Sequence, residues 1–230
     1  MSQAAEAASP YPDPDPDPDP DPDPGRGLVA GLLLAAGAGR RMGGPKALLR
    51  DAGGTAWVTR AARVLSTGGC APVLVVAGAA AEQVVPLLPD GVRSVVAADW
   101  AEGMGASLRA GLAALDRLPA AAGARAVLVG LVDTPGVDAA VVTRLLGVAG
   151  PDVLARAAYH GHPGHPVLLG RRHWAGVAAT AAGDAGARGY LAGRDDVRLV
   201  ECGDLGSGDD LDVPADLGVA PDLPTQADPA

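Results

Sequence analysis

Short apolar runs alternate along the chain with segments whose apolar residues recur every three or four positions. Such runs are typical of buried β-strands, and the spaced segments are typical of amphipathic helices. The pattern predicts strands at residues 28–34, 72–76, 94–97, 126–132, 153–157, 166–169 and 197–201. It predicts helices at residues 56–66, 81–88, 105–118, 138–148 and 185–192.

The order of these elements predicts the fold class. The Val- and Leu-rich strands are continuous rather than alternating, which indicates burial on both faces. Regular alternation of strands and helices favours a mostly parallel central sheet with helices on both faces, a Rossmann-like α/β fold. Ligands of such sheets bind outside the carboxyl ends of the strands, so we expect the functional residues there.

The two ends of the chain differ from this pattern. Residues 1–25 contain an Asp-Pro repeat that can form neither a helix nor a sheet ladder, and we expect a disordered tail. Residues 218–230 are expected to form a second, flexible tail. The domain is therefore predicted to span residues 26–217.

Charge and hydropathy exclude several classes of function. Seven of the nine net negative charges lie before Gly25, so the remainder is nearly neutral and has no basic face for nucleic acid. The longest apolar run, residues 28–38, is too short to cross a bilayer. An acidic segment precedes it where a secretory signal would be basic, so we expect a cytoplasmic protein.

The first predicted strand leads into a glycine-rich loop, "GLLLAAGAGRRMGGPKALL" at residues 31–49. The loop fits neither G-x-G-x-x-G, because Met42 replaces the third glycine, nor the P-loop, because Ala47 replaces its hydroxyl residue. Exposed backbone N–H groups beside Arg40, Arg41 and Lys46 suit a polyphosphate. The alternative is a tight turn with solvated cations.

Asp133 follows the apolar run "AVLVGLV". A charge at the end of a buried strand is costly unless it is compensated, so we expect Asp133 to share a crevice with the glycine-rich loop. A carboxylate there, together with nucleotide phosphates, suits Mg²⁺. The alternative is that Asp133 caps the helix that follows.

Several motifs together resemble the MobA-like nucleotidyltransferases, in particular the molybdenum cofactor cytidylyltransferase branch. "LAAGAGRRMGGPK" at residues 34–46 is similar to the signature L-A-A-G-x-G-x-R-M-G-x-P-K. Further matches follow in order, from about residue 28 to residue 217: "DWAEGMGASLRAGL", "VDTP", "GHPVLL", "GDAGAR" and "DDLDVPADL". The resemblance implies a nucleotidyltransferase fold.

The resemblance also implies roles for individual residues. Nucleotide contacts are expected from Leu34, Ala35, Ala36, Gly37, Gly39, Arg41, Lys46, Gly103 and Ser107, the last as a hydroxyl helix N-cap. Arg41, Lys46 and Asp133 are the expected catalytic residues. The metal ligands are expected to be Asp133 with Asp210 or Asp212.

The acceptor is expected to contact His165, Asp184, Gly186 and Arg188. His165 belongs to an H-x-H-x-x-H pattern with His160 and His162, and a zinc site is the alternative interpretation of this pattern. Glycine and proline lie between the histidines, so no helix or strand is expected to fix the relative positions of the three side chains. His160 and His162 are expected in a variable loop. The alternative interpretation of Arg188 is a surface arginine without a role in binding.

The function implied is Mg²⁺-dependent transfer of CMP from CTP to the terminal phosphate of molybdopterin, with release of pyrophosphate. A molybdenum hydroxylase that receives the cofactor is a possible partner. Three alternatives stay open. They are another nucleotide such as GTP, a redox enzyme of the nicotine blue oxidoreductase type, and a non-catalytic carrier of the cofactor.

Overall fold

The apolar runs form one seven-stranded sheet in the computed structural model of the chain, which describes residues 27–210. The strand order is β3-β2-β1-β4-β6-β5-β7. The strands are β1 Val29–Ala35, β2 Val73–Ala77, β3 Arg93–Val96, β4 Ala126–Leu131, β5 Leu154–Tyr159, β6 His162–Gly170 and β7 Val197–Glu201. The tails expected at residues 1–25 and 218–230 lie outside the described residues.

Strand direction places a crevice between β1 and β4. β3, β2, β1 and β4 run parallel, and only β6 is antiparallel to its neighbours β4 and β5. The chain leaves β1 toward β2 and β3 on one side, and later returns to β4 on the other. The loops after β1 and β4 therefore lie next to each other at the carboxyl ends of these strands, which is where α/β sheets bind ligands.

Helices cover both faces of the sheet, as the sequence predicts. They are α1 Trp57–Thr67, α2 Ala81–Val84, α3 Met104–Arg117, α4 Ala139–Leu146, α5 Trp174–Thr180 and α6 Arg188–Leu191. Leu33 of β1 packs with α1 and α4 on one face, whereas Leu32 packs with α3 and α5 on the other. Because successive strand residues point to opposite faces, one strand contributes to two separate cores.

The predicted elements differ from the observed ones in three places. α5 was not predicted, and the segment expected to be helical at 81–88 is the single turn α2 followed by a 3-10 turn that contains Pro86. β6 begins at His162 rather than at residue 166. Its prolines obscured the strand, since proline lacks the N–H that a central strand normally donates.

None of the helices within residues 27–210 has both the length and the apolar character needed to cross a membrane.

The N-cap of α4 generates a prediction. One carboxylate oxygen of Asp138 accepts hydrogen bonds from the backbone N–H groups of Ala140 and Val141, at 2.9 and 3.1 Å. Asp138→Ala should lower the free energy of unfolding by about 1 kcal/mol, because these donors lose their partner. Urea denaturation measures the change. Asp138→Asn is the control and should retain most of the stability, since an amide oxygen also caps; equal losses in both variants would contradict the capping role.

Candidate functional site

The loops after β1 and β4 are joined by an ion pair. Lys46 Nζ lies 2.7 Å from Asp133 Oδ2, and the two side chains are 14% and 20% exposed. Lys46 opens a 3-10 turn after Pro45, and Asp133 lies two residues beyond the end of β4. The structure thus brings together the two residues that the sequence placed in one crevice. Their partial burial strengthens the attraction relative to an exposed pair.

Asp133 is not the cap of the helix that follows it. α4 begins at Ala139, and its N-cap is Asp138. Asp133 instead directs its carboxylate toward Lys46 across the crevice. The next residue, Thr134, is buried and donates its hydroxyl to the backbone carbonyl of Leu131, which fixes the turn that presents Asp133.

The glycine-rich loop is a tight turn built around Gly39. Gly39 has φ 60°, and its carbonyl accepts hydrogen bonds from Met42 N at 2.8 Å and Gly44 N at 3.2 Å. A Cβ at Gly39 would overlap the carbonyl oxygen of Gly44. Gly37, by contrast, faces open space. The loop therefore has one glycine required by the backbone and another that leaves room beside the strand end.

The other predicted residues of this loop differ in accessibility. Leu34, Ala35 and Ala36 have buried side chains, so a nucleotide would meet only their backbone atoms. Arg41 is exposed on the 3-10 turn that follows Gly39. The loop thus carries two cationic side chains, Arg41 and Lys46, and glycines that are at least partly exposed.

Two segments distant in sequence pack against each other at the start of α3. A Cβ on Gly103 would lie 2.6 Å from Asp184 Oδ1, and one on Gly186 would lie 3.0 Å from the sulfur of Met104. The expected nucleotide and acceptor segments are therefore neighbours. Ser107 corrects the prediction of a hydroxyl cap, because the N-cap of α3 is Gly103 and Ser107 is buried within the helix.

The histidine-rich segment is a β-hairpin, so of the two histidines expected in a variable loop only His160 lies outside a strand. His160 and Gly161, both with positive φ, form the turn between β5 and β6, and His162 and His165 lie in β6. Within residues 27–210, no three His, Cys, Asp or Glu side chains are close enough to hold a metal ion. The H-x-H-x-x-H pattern therefore does not form a three-histidine zinc site.

Charged groups from three other segments act on the pKa of His165. Its pKa is lowered to about 4, first by burial and then by the positive charges of Arg156 and Arg188, while Asp133 acts in the opposite direction. His165 is consequently neutral at pH 7. Arg156 is not among the residues predicted from the sequence, although a charge inside the apolar strand "LARAAY" is the same kind of signal as the charge of Asp133 at the end of β4.

The segment that leads to Asp210 runs along the loop after Asp133. Ser207 N donates to the carbonyl of Gly136 at 3.2 Å, and Gly206 is too close to that carbonyl to carry a Cβ. Asp210 is exposed, and Asp212 lies outside the described residues. Asp210 therefore follows a segment held at the same edge of the sheet as Asp133.

Comparison with known proteins assigns the family. Residues 31–198 match the model of the MobA-like NTP transferase domain. The chain belongs to this family. It is 41% identical, over 194 residues, to nicotine blue oxidoreductase of Paenarthrobacter nicotinovorans, an alignment that covers 80% of this chain and 92% of the relative.

Solved structures agree with the family assignment. The crystal structure of Rv0371c from Mycobacterium tuberculosis H37Rv has a TM-score of 0.67 at 29% identity, covering 82% of this chain and 95% of that chain. Rv0371c was also solved in a complex with manganese. A nucleotidyl transferase from Methanothermobacter thermautotroptrophicus has a TM-score of 0.63 at 25% identity, covering 76% and 87% of the two chains. The MobA-like domain of this chain thus has the nucleotidyltransferase fold.

The two glycines of the MobA-like loop give a matched pair of variants. Gly39→Ala should lower the melting temperature, because a side chain is strained at this φ and overlaps Gly44. Gly37→Ala should leave the melting temperature of the ligand-free protein nearly unchanged. Thermal denaturation of both variants makes the test, and a Gly39→Ala protein as stable as the parent would refute the backbone requirement.

The charges around His165 give a second prediction. Arg156→Gln removes a neighbouring positive charge, so the pKa of His165 should rise from about 4 toward its ordinary value of 6.5. Because His165 binds a proton less readily in the folded state than in the unfolded state, its contribution to the free energy of unfolding depends on pH. That contribution is fully present above pH 6.5 and is lost as the pH falls toward 4. NMR titration of the imidazole measures the pKa. Arg172→Gln, beside Asp152, is the control and should not move it.

Proposed function

We propose that this chain transfers CMP from CTP to the terminal phosphate of molybdopterin and releases pyrophosphate. The observation that carries the proposal is the Lys46–Asp133 pair, which lies between the ends of β1 and β4 in a chain of the MobA-like family. A cation and a carboxylate at this point can hold the two partners of phosphoryl chemistry, the anionic nucleotide and its metal ion.

The glycine-rich loop supports a triphosphate on the β1 side. Its backbone N–H groups and the side chains of Arg41 and Lys46 offer hydrogen bonds that strengthen as negative charge develops on the leaving pyrophosphate. Lys46 already faces Asp133 at 2.7 Å, so a bound phosphate would share this lysine with the carboxylate. The loop holds the nucleotide, and Lys46 connects it to the acidic side.

The donors near Asp133 fit Mg²⁺. One or two carboxylates plus substrate phosphates are the usual ligands of this ion, so the absence of a three-residue cluster within residues 27–210 does not oppose it. Asp133 would hold the ion together with Asp210 or Asp212. When bound, Mg²⁺ supplies positive charge to the nucleotide phosphates. The manganese complex of Rv0371c supports a divalent cation in this family.

The transfer itself needs little proton chemistry. An oxygen of the acceptor phosphate attacks the α-phosphorus, the new P–O bond forms, and the bond from the α-phosphorus to the bridging oxygen breaks as pyrophosphate leaves. The acceptor phosphate is already anionic at neutral pH, so a strong general base is unnecessary. Arg41 and Lys46 lower the barrier by positioning the groups and neutralising their charge.

The choice of cytidine and molybdopterin is supported by sequence and by the composition of the acceptor side. The LAAG form at residues 34–37 resembles the cytidylyl branch, whereas guanylyl members tend to carry LAGG. His165, Asp184, Gly186 and Arg188 are the acceptor contacts in this proposal. A molybdenum hydroxylase would receive the product, and the cytoplasmic location stays a prediction. The expected absence of a nucleic-acid partner also stays a prediction.

A redox function is the second candidate, because the relative at 41% identity carries the name nicotine blue oxidoreductase. The loop after β1 argues against a dinucleotide bound in the usual way. Such a loop opens directly into a helix whose N-terminus meets the pyrophosphate, whereas here two 3-10 turns follow and α1 begins only at Trp57. A carrier that binds the cofactor without turnover would bind the acceptor but release no pyrophosphate.

One experiment separates these functions. Pyrophosphate release is measured with each of the four nucleoside triphosphates and Mg²⁺, with and without molybdopterin, and oxidation of NADH and NADPH with nicotine blue is followed in parallel. We expect release with CTP only when acceptor is present. Release with GTP and not with CTP would identify GTP as the nucleotide substrate. Oxidation of NADH or NADPH without pyrophosphate release would contradict the transferase reaction and support the redox function.

Variants test the role of the crevice in the same assay. Asp133→Asn and Lys46→Ala should each reduce pyrophosphate release by about a hundredfold, the effect of losing one contact to a developing charge. Asp152→Asn is the control, because Asp152 pairs with Arg172 at the opposite end of the strands, before β5 and after β6. Undiminished turnover in Asp133→Asn would refute the metal-binding role.

A further inference from the structure

Arg156 is a charged side chain in the middle of a buried strand. Its neighbours Leu154, Ala155 and Ala157 are almost fully buried, whereas Arg156 is half-buried and donates from Nε to the carbonyl of Gly164 at 3.3 Å. In the β5–β6 ladder Arg156 lies directly opposite Val167, which packs on the face covered by α3 and α5. Directly paired residues point to the same face, so Arg156 faces that side.

Arg188 approaches Arg156 from the same side. It begins α6, whose Tyr190 and Leu191 pack into the core between the sheet and α3. The two guanidinium groups are near enough that Arg188 lowers the pKa of Arg156, an effect second to burial. Arg156 Nε donates to the carbonyl of Gly164, the residue before His165, which places Arg156 close to His165 in the β5–β6 hairpin. Both arginines lower the pKa of His165, in agreement with this placement.

This arginine pair lacks a carboxylate partner within residues 27–210. Five other arginines in that range pair with acidic side chains: Arg109, Arg144, Arg171, Arg172 and Arg194. Asp133, the carboxylate that acts on His165, is held by Lys46 instead. Two positive charges on one face of the sheet, one of them half-buried, cost free energy unless an anion compensates them.

We propose that Arg156 and Arg188 together bind a phosphate group of the acceptor, with His165 as a hydrogen-bonding partner. The assignment of this phosphate to the acceptor rests on the proposed function, whereas the anion site itself does not. Guanidinium groups suit phosphate because each can donate two parallel hydrogen bonds. The site also allows two anionic substrates to approach, since the arginines neutralise one and the Lys46 loop neutralises the other.

The site is tested by titrating inorganic phosphate into the full chain and following ³¹P NMR line broadening, with and without CTP and Mg²⁺. Arg156→Gln and Arg188→Gln should each weaken phosphate binding by about tenfold, because each removes a charged donor. Arg156→Lys keeps the charge and should lose less than Arg156→Gln. Arg172→Gln is the control and should bind phosphate like the parent, since the pair of Arg172 with Asp152 lies at the end of β5 and β6 that is remote from His165. Melting curves establish that each variant is folded.

The outcomes separate this site from the nucleotide site. Phosphate that binds equally well with and without CTP occupies the acceptor position, whereas phosphate displaced by CTP lies at the triphosphate and overturns the assignment. Unchanged binding in folded Arg188→Gln, whose side chain is exposed, overturns the site itself. Arginine-dependent phosphate binding without any pyrophosphate release from CTP would uphold the anion site and reject the proposed transferase reaction.

Discussion

The charge on Asp133 is the constraint on which the site depends. A carboxylate just beyond a buried strand loses hydration and needs a positive partner. Lys46 provides it at 2.7 Å, and it does so from the loop of the adjacent strand β1. The pair therefore connects the two loops that follow the central strands β1 and β4. A ligand that binds here must exchange contacts with this pair, so the structural compensation and the proposed chemistry use the same two groups.

The two sides of the crevice differ in whether backbone or side-chain groups form them. On the β1 side, the turn at Gly39 depends on backbone geometry, and the side chains of Leu34, Ala35 and Ala36 belong to the core. On the β6 side, the proposed contacts are side chains from three separate elements, namely Arg156, His165 and Arg188. A backbone cradle suits a group common to every nucleoside triphosphate. A set of side chains is more easily varied, which suits discrimination between acceptors.

The relation to nicotine blue oxidoreductase fits this division of the site. A fold can carry different reactions when the residues at the strand ends change, and the identity of 41% leaves room for such changes. The loop after β1, with Met42 buried and α1 displaced to Trp57, is suited to a triphosphate rather than to a dinucleotide on a helix N-terminus. In the proposed function, a difference in reaction between the two proteins would arise on the acceptor side.

The sequence by itself determined the strands, their parallel core and the two halves of the crevice, because apolar runs and strand-end charges are local signals. It predicted Lys46 and Asp133 as neighbours from the expectation that their strands are adjacent. It did not determine β6 from His162 onward, since Pro163 and Pro166 weaken a strand signal that the β5–β6 hairpin overrides. Only the tertiary structure decided that Arg156 shares a face of the sheet with α6, which begins at Arg188, because cross-strand register and helix packing bring together residues that no sequence spacing relates.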